Sequence, residues 1–258
     1  MKRLGLAAWF GFLVFLSGCQ RNPVKPAETP ADNRTETSGP ADIYVQLGAA
    51  YLSKGNLPVA LQNLQKALAL DAKNSQAHNF MGMLQEHLGN SPQAEEHFRQ
   101  AAALSPGDSD IHNAYGNFLC NQQRFEEADR EFRQALDNPL FSNPWMPLTN
   151  AGQCARRSGD PVRAEGYLRR ALSLNPSYSR AVAGMANAQF DQGHYPAARG
   201  YIQRYLGAYP ATPDMLWLAI RTERKLGDLK SAAQYQQTLL TRFPDAPEVQ
   251  SLNEPSHP

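Results

Sequence analysis

One unit of 34 residues recurs six times between Ala41 and Pro244. Aligned on a small residue in the middle of its first half, the copies begin at Ala41, Ser75, Ser109, Trp145, Ser179 and Pro213. Every step is 34 residues except the third-to-fourth, which is 36. Position 20 of the unit is alanine in every copy: Ala60, Ala94, Ala128, Ala164, Ala198 and Ala232. Position 8 reads Gly48, Gly82, Gly116, Gly152, Ala186 and Ile220. A period of this length is one supersecondary unit, which cannot bury its apolar face alone and must stack on its neighbours. Added length therefore adds repeats rather than depth of core.

Each unit reads as two helices. Small residues at positions 8 and 20 let the two approach closely, and a bulky residue at position 24 (Leu64, Phe98, Phe132, Leu168, Ile202) is expected to fill the space between hairpins. Position 15 holds Gly55, Gly89, Gly159, Gly193 and Gly227, suited to a positive φ where the first helix stops, with Gln123 in the third copy. Position 32 is Pro106, Pro176, Pro210 or Pro244 in four copies, and proline ends a helix because it lacks an N–H and clashes with the preceding turn. No stretch alternates as a strand would, so the expected class is all-α.

The register of small residue, alanine, aromatic or leucine, and proline resembles the tetratricopeptide repeat. That resemblance implies a right-handed superhelix, an α-solenoid of six helix-turn-helix repeats over residues 41–246, followed by a tail at 247–258.

The segment before the repeats has another character. Lys2 and Arg3 precede an apolar run from Leu4 to Leu16, too short for a confident membrane span and built like a signal peptide. Leu16-Ser17-Gly18-Cys19 resembles a bacterial lipobox, which implies removal of residues 1–18 and lipid on Cys19; a plain signal peptide with an incidental cysteine is the alternative. One acyl chain holds a membrane only marginally, whereas the full lipoprotein modification anchors durably. Gln20 stands where an aspartate would imply inner-membrane retention, so a periplasm-facing outer-membrane site is expected. Residues 19–40 carry four prolines and only Val24 as a large aliphatic, which reads as a tether. A flexible chain of that length spans about 25 Å r.m.s..

With Cys19 lipidated, Cys120 and Cys154 remain. They sit at positions 12 and 10 of adjacent first helices, and an exported chain meets an oxidising compartment. A disulfide is expected if their Cα atoms lie within reach of one another, with two buried thiols or a reactive cysteine as the alternatives. The irregular step between copies three and four, Asp137 to Pro147, holds three prolines and two aromatics in place of the ordinary turn.

Chemistry-bearing patterns are scarce. Formal net charge is +1, which makes no electrostatic case for nucleic acid. Glu86-His87 and Glu96-His97 lack the second histidine of a zinc protease motif, and no nucleophile elbow or phosphate loop occurs. His78 and His112, both at position 4, read as packing rings, and Asp108 reads as a helix N-cap rather than part of a calcium loop. No catalytic residue, metal site, cofactor or small-molecule substrate is expected.

What remains is a binding surface. In a tetratricopeptide array the first helices line the concave face through positions 2, 5, 6, 9, 12 and 13. Val45, Ala49, Leu52, Phe80 and Met83 then form an apolar floor, and exposed apolar patches mark interaction sites. Asn113, Asn117, Asn150, Gln153 and Asn187 supply amides that both donate to and accept from a peptide. Trp217, Arg221, Arg224 and Lys225 make the sixth copy basic and aromatic. The lysine-rich clamp for a C-terminal carboxylate is absent, its places being held by Asn79, Met83 and Asn113.

Beyond the generic repeat, the stretches His112-Asn-Ala-Tyr-Gly-Asn-Phe-Leu-Cys120, Pro139-Leu-Phe-Ser-Asn-Pro144 and Asn150-Ala-Gly-Gln-Cys154 are similar to the type IV pilus biogenesis and stability lipoproteins, the PilF/PilW group. The order of lipobox, tether and six repeats agrees with it. This resemblance implies a non-enzymatic adaptor, a pilotin that brings the type IV pilus secretin to the outer membrane and promotes its multimer assembly. A periplasmic scaffold for other envelope or cell-wall assemblies shares the same outline.

Overall fold

The structure, a computed structural model, describes residues 39–252. The expected signal peptide, Cys19 and the tether before residue 39 lie outside the described residues, as does the tail beyond 252. Regular structure among the described residues is entirely helical. Six hairpins follow in order: α1 (Pro40–Ser53) with α2 (Leu57–Leu70), α3 (Ser75–His87) with α4 (Ser91–Leu104), and α5 (Ser109–Asn121) with α6 (Phe125–Leu136). Then come α7 (Trp145–Arg157) with α8 (Pro161–Leu174), α9 (Ser179–Asp191) with α10 (Tyr195–Ala208), and α11 (Pro213–Leu226) with α12 (Leu229–Arg242). A short α13 (Pro247–Ser251) ends the series.

Local chemistry sets the helix ends. Asn74, Asp108, Asp160 and Asp228 accept hydrogen bonds from backbone N–H groups of the first turn that follows each, satisfying donors that have no partner inside the helix. Helices α4, α8, α10 and α12 each stop two residues short of Pro106, Pro176, Pro210 and Pro244, where the residue before proline is barred from helical geometry. The turns inside five hairpins carry glycine at φ between 71° and 83°. In the third, Gln123 adopts φ 61°, a left-handed geometry that costs a residue with a Cβ about 1–2 kcal/mol.

Packing follows the small-over-large rule. A Cβ added to Gly48 would lie 2.7 Å from Leu64, one on Gly116 2.8 Å from Phe132, and one on Gly152 2.7 Å from Leu168. Those large side chains are 0–1% exposed. The sixth hairpin reverses the sizes: Ile220, fully buried, stands at the glycine position, and half-buried Gln236 replaces the bulky residue. Apolar clusters run across hairpin boundaries. One joins Phe98 of α4 to Phe118 and Phe132 and on to Ala151 and Cys154 of α7.

Each first helix also touches the next first helix, α1 to α3 through to α11, while no second helix packs comparably on the next second helix among the described residues. The first helices therefore lie on the inside of the curve. The two ends of the array differ. Val249 and Leu252 cover the Leu216–Ile220–Leu239 cluster at the C-terminal end. At the other end Ile43 and Leu47 are 53% and 41% exposed. Their repeat equivalents Ala77, Met81, Ala181 and Met185 are all buried against a preceding hairpin.

A pair of substitutions separates crowding from helix propensity. Gly152→Ala places its methyl against Leu168 and 3.2 Å from the Ala164 carbonyl, so it is expected to cost about 1–3 kcal/mol. Gly166→Ala, in open space on α8, is expected to gain about 0.5–1 kcal/mol. Urea unfolding of the two variants checks both signs.

Candidate functional site

The concave face is lined by residues from six consecutive first helices, and its character changes along the array. In the first two hairpins the expected apolar floor is partly corrected. Val45 and Leu52 are only 6% and 8% exposed and belong to the hairpin cores, Val45 with Ala67 and Ala77, Leu52 with Leu64 and Leu84. The reason is curvature: inside the bend, neighbouring first helices come close enough to enclose positions 5 and 12. Ala49, Phe80 and Met83 stay half-buried, their outer surfaces left to the groove. Beside them Asn79 is 4% exposed, and its Oδ1 accepts no hydrogen bond among the described residues.

The middle of the groove is a ladder of amides. Asn150 Nδ2 donates to Asn113 Oδ1 at 2.8 Å, both residues being buried. Arg180 Nη2 donates to Asn150 Oδ1 at 3.3 Å and to Gln153 Oε1 at 3.4 Å. Arg157 Nη1 donates to Asn121 Oδ1 at 2.9 Å, and Asn121 Nδ2 in turn to Glu86 Oε1 at 2.8 Å. Asn117 is half-buried, and Asn187 turns back to its own helix, donating to Ala183 O at 3.0 Å. Together Asn117, Asn150, Gln153, Arg157 and Arg180 line a pocket of about 240 Å³.

Cys120 and Cys154 lie beneath this pocket, bonded to each other, with Cα atoms 5.8 Å apart and each cysteine 4% exposed. The bond ties α5 to α7 directly across the irregular step. Closing a loop of 34 residues removes on the order of 3–4 kcal/mol of chain entropy from the unfolded state. In the sixth hairpin Arg221 stacks over the Phe190 ring at 4.3 Å, and Arg224 donates to Gln236 at 3.3 Å.

Arg157, Arg180 and Asn121 were not singled out from the sequence, although positions 13 and 2 of the same template hold them. Their significance comes from convergence across three repeats, which no single copy displays.

The tetratricopeptide repeat family matches residues 45–109, 119–179 and 184–247. The chain belongs to that family. Its six-hairpin TPR array is similar over nearly all its length to the type IV pilus assembly protein PilF of Pseudomonas aeruginosa, 28% identical over 247 residues, 94% of this chain and 95% of that one. The solved structure of P. aeruginosa PilF matches with a TM-score of 0.72 at 28% identity, covering 82% of this chain and 96% of that one. PilW, described as a widely conserved type IV pilus biogenesis factor, matches with a TM-score of 0.78 at 29% identity, covering 83% and 98%.

Titratable groups elsewhere in the TPR array serve packing. His112 Nε2 faces the Pro106 carbonyl at 3.0 Å and Nδ1 meets Glu131 Oε2 at 2.7 Å. The Glu131 hydrogen bond raises the imidazole pKa against the opposing effect of burial. One repeat earlier His78 makes the same contact to the Ala72 carbonyl, but its Nδ1 meets His97 Nδ1 at 3.0 Å. Burial, and then the nearby His78, lower the His97 pKa. Among the described residues no three His, Cys, Asp or Glu side chains converge as metal ligands.

A raised folded-state pKa contributes stability that is full below the unfolded imidazole value and is lost as pH rises through the folded value. The melting-temperature gap between wild type and Glu131→Gln is therefore expected to be widest near pH 6 and to narrow above the ordinary histidine value of about 6.5. Thermal melts at several pH values read the gap directly.

Proposed function

We propose that this protein is a non-enzymatic adaptor of type IV pilus biogenesis, an outer-membrane lipoprotein that binds the pilus secretin and promotes its localisation and multimer assembly. The observation that carries this reading is the end-to-end similarity to PilF, 94% of one chain against 95% of the other, in a protein whose first helices together line a concave face. Similarity confined to the repeats would argue only for the fold. Here it reaches into the region before them, where Cys19 and its lipobox lie.

The mechanism joins two devices. Lipid on Cys19 supplies membrane affinity. The groove supplies partner affinity: Phe80 and Met83 offer apolar anchors, and the amides of the middle hairpins offer hydrogen bonds to an extended backbone. Neither device needs a reacting group.

Each device has its own test. Phe80→Gln with Met83→Gln is expected to weaken secretin capture by roughly tenfold or more, the loss of two central apolar anchors, while the helical circular dichroism spectrum is kept. Undiminished multimers in that variant would remove the groove from the mechanism. Cys19→Ser is expected to leave a folded array with the secretin misplaced in membrane fractions. Recovery of cell-wall enzymes instead of a secretin from crosslinked envelopes would favour the general envelope scaffold.

A further inference from the structure

We propose that the pocket above the Cys120–Cys154 bond takes the carboxylate of an aspartate or glutamate side chain, carried by an extended partner segment that runs along the concave face. This deepens the adaptor reading and rests on its assignment of the concave face as the partner groove.

The first argument is charge. Arg157 and Arg180 enter the pocket from successive first helices with exposed heads, and among the described residues neither forms a salt bridge. Several other arginines among the described residues are paired with carboxylates. Arg124 meets Glu95 and Glu127, Arg199 meets Glu223 and Asp228, and Arg156, the neighbour of Arg157, meets Asp191 at 3.1 Å. Two guanidinium groups without a carboxylate partner thus converge on one pocket, whereas those of the sixth hairpin, Arg221 and Arg224, meet the Phe190 ring and Gln236. Glu86 stands at one remove, reached only through Asn121.

The second argument is hydrogen-bond supply. Arg180 holds two long bonds to amide oxygens, at 3.3 and 3.4 Å. A carboxylate would replace these with shorter, charge-assisted bonds to a planar guanidinium fork. Asn150 already commits its Nδ2 to Asn113, so its oxygen stays turned toward Arg180. The side-chain N–H groups of Asn117 and Gln153 remain as further donors for an anion.

The third is geometry. About 240 Å³ admits one acidic side chain and no folded element. The pocket lies midway between the apolar anchors Phe80 and Met83 and the basic end at Arg221, so a segment passes through rather than terminates there. That favours a side chain over a C-terminal carboxylate. The disulfide fixes α5 against α7 before any partner arrives, which lowers the ordering cost of binding.

The test uses a displayed library of random twelve-residue peptides, selected on the mature protein and on Arg157→Gln/Arg180→Gln. One format holds each peptide internally and another frees its C terminus. Internal peptides selected by the wild type are expected to share an Asp or Glu at one position. Its change to Asn or Gln is expected to weaken binding by roughly tenfold, and the preference is expected to vanish in the double variant. Selection without an acidic preference, or a preference that survives in the variant, overturns the proposal. A preference only for free C termini overturns the side-chain assignment. Acid selection by a protein that fails to capture full-length secretin leaves this site standing and removes the secretin reading.

Discussion

The close approach of a small residue to a large one within each of the first five hairpins is the contact on which the array depends. Gly48, Gly82, Gly116 and Gly152 let Leu64, Phe98, Phe132 and Leu168 lie at distances where a Cβ would clash. That approach fixes the angle of each hairpin, and the hairpin angle fixes the curvature of the stack. Curvature in turn decides what the first helices can display, because residues inside the bend are either enclosed or turned into the groove. Val45 and Leu52 fall on one side of this division, Phe80 and Met83 on the other. The last hairpin departs from this pairing, with Ile220 fully buried at the glycine position against Leu216 and Leu239 and only half-buried Gln236 at the bulky one.

A stacked array has no single core, and its stability is a sum of hairpin and interface terms. Local reinforcements therefore act locally. The extra residues and prolines lengthen the connection between α6 and α7, with Leu140 in it 83% exposed. The Cys120–Cys154 bond crosses the same joint from the concave side. The amide pair Asn113–Asn150 spans it as well. The joint most altered in sequence is thus also the one most heavily tied, and the tie lies under the pocket lined by Asn117, Gln153, Arg157 and Arg180.

Much of the fold was legible because repetition averages out ambiguity: any one hairpin is a weak pattern, but six in phase identify the positions that must be small, bulky or left-handed. Gln123 shows the strength of that inference, taking the left-handed turn at φ 61° although its side chain argues against it. The site was less legible, for a physical reason. Exposure at a template position depends on how tightly neighbouring hairpins close, and periodicity carries no measure of that, so Val45 and Leu52 read as floor. The Arg157–Asn121 and Arg180–Asn150 contacts join residues 36 and 30 apart in sequence. Each partner looks like an ordinary surface residue within its own copy. Ile43 and Leu47 show the converse: their exposure follows from lacking a preceding hairpin, an effect of place in the array rather than of residue type.

These features divide the groove into parts with different mechanical character. The first hairpin packs on a neighbour from one side only among the described residues, whereas α13 closes the far end and the disulfide stiffens the middle. Local opening is easiest where fewest apolar contacts hold an element. On the proposed reading, the anchors Phe80 and Met83 stand beside the less supported end, where a helix face can adjust to the shape of a hydrocarbon surface. Apolar contact tolerates such adjustment because it has little directionality. A guanidinium meeting a carboxylate does not, since its bonds weaken steeply with misalignment. The placement of arginines and amides over the crosslinked joint, and of hydrocarbon near the less supported hairpin, matches each kind of contact to the rigidity it requires.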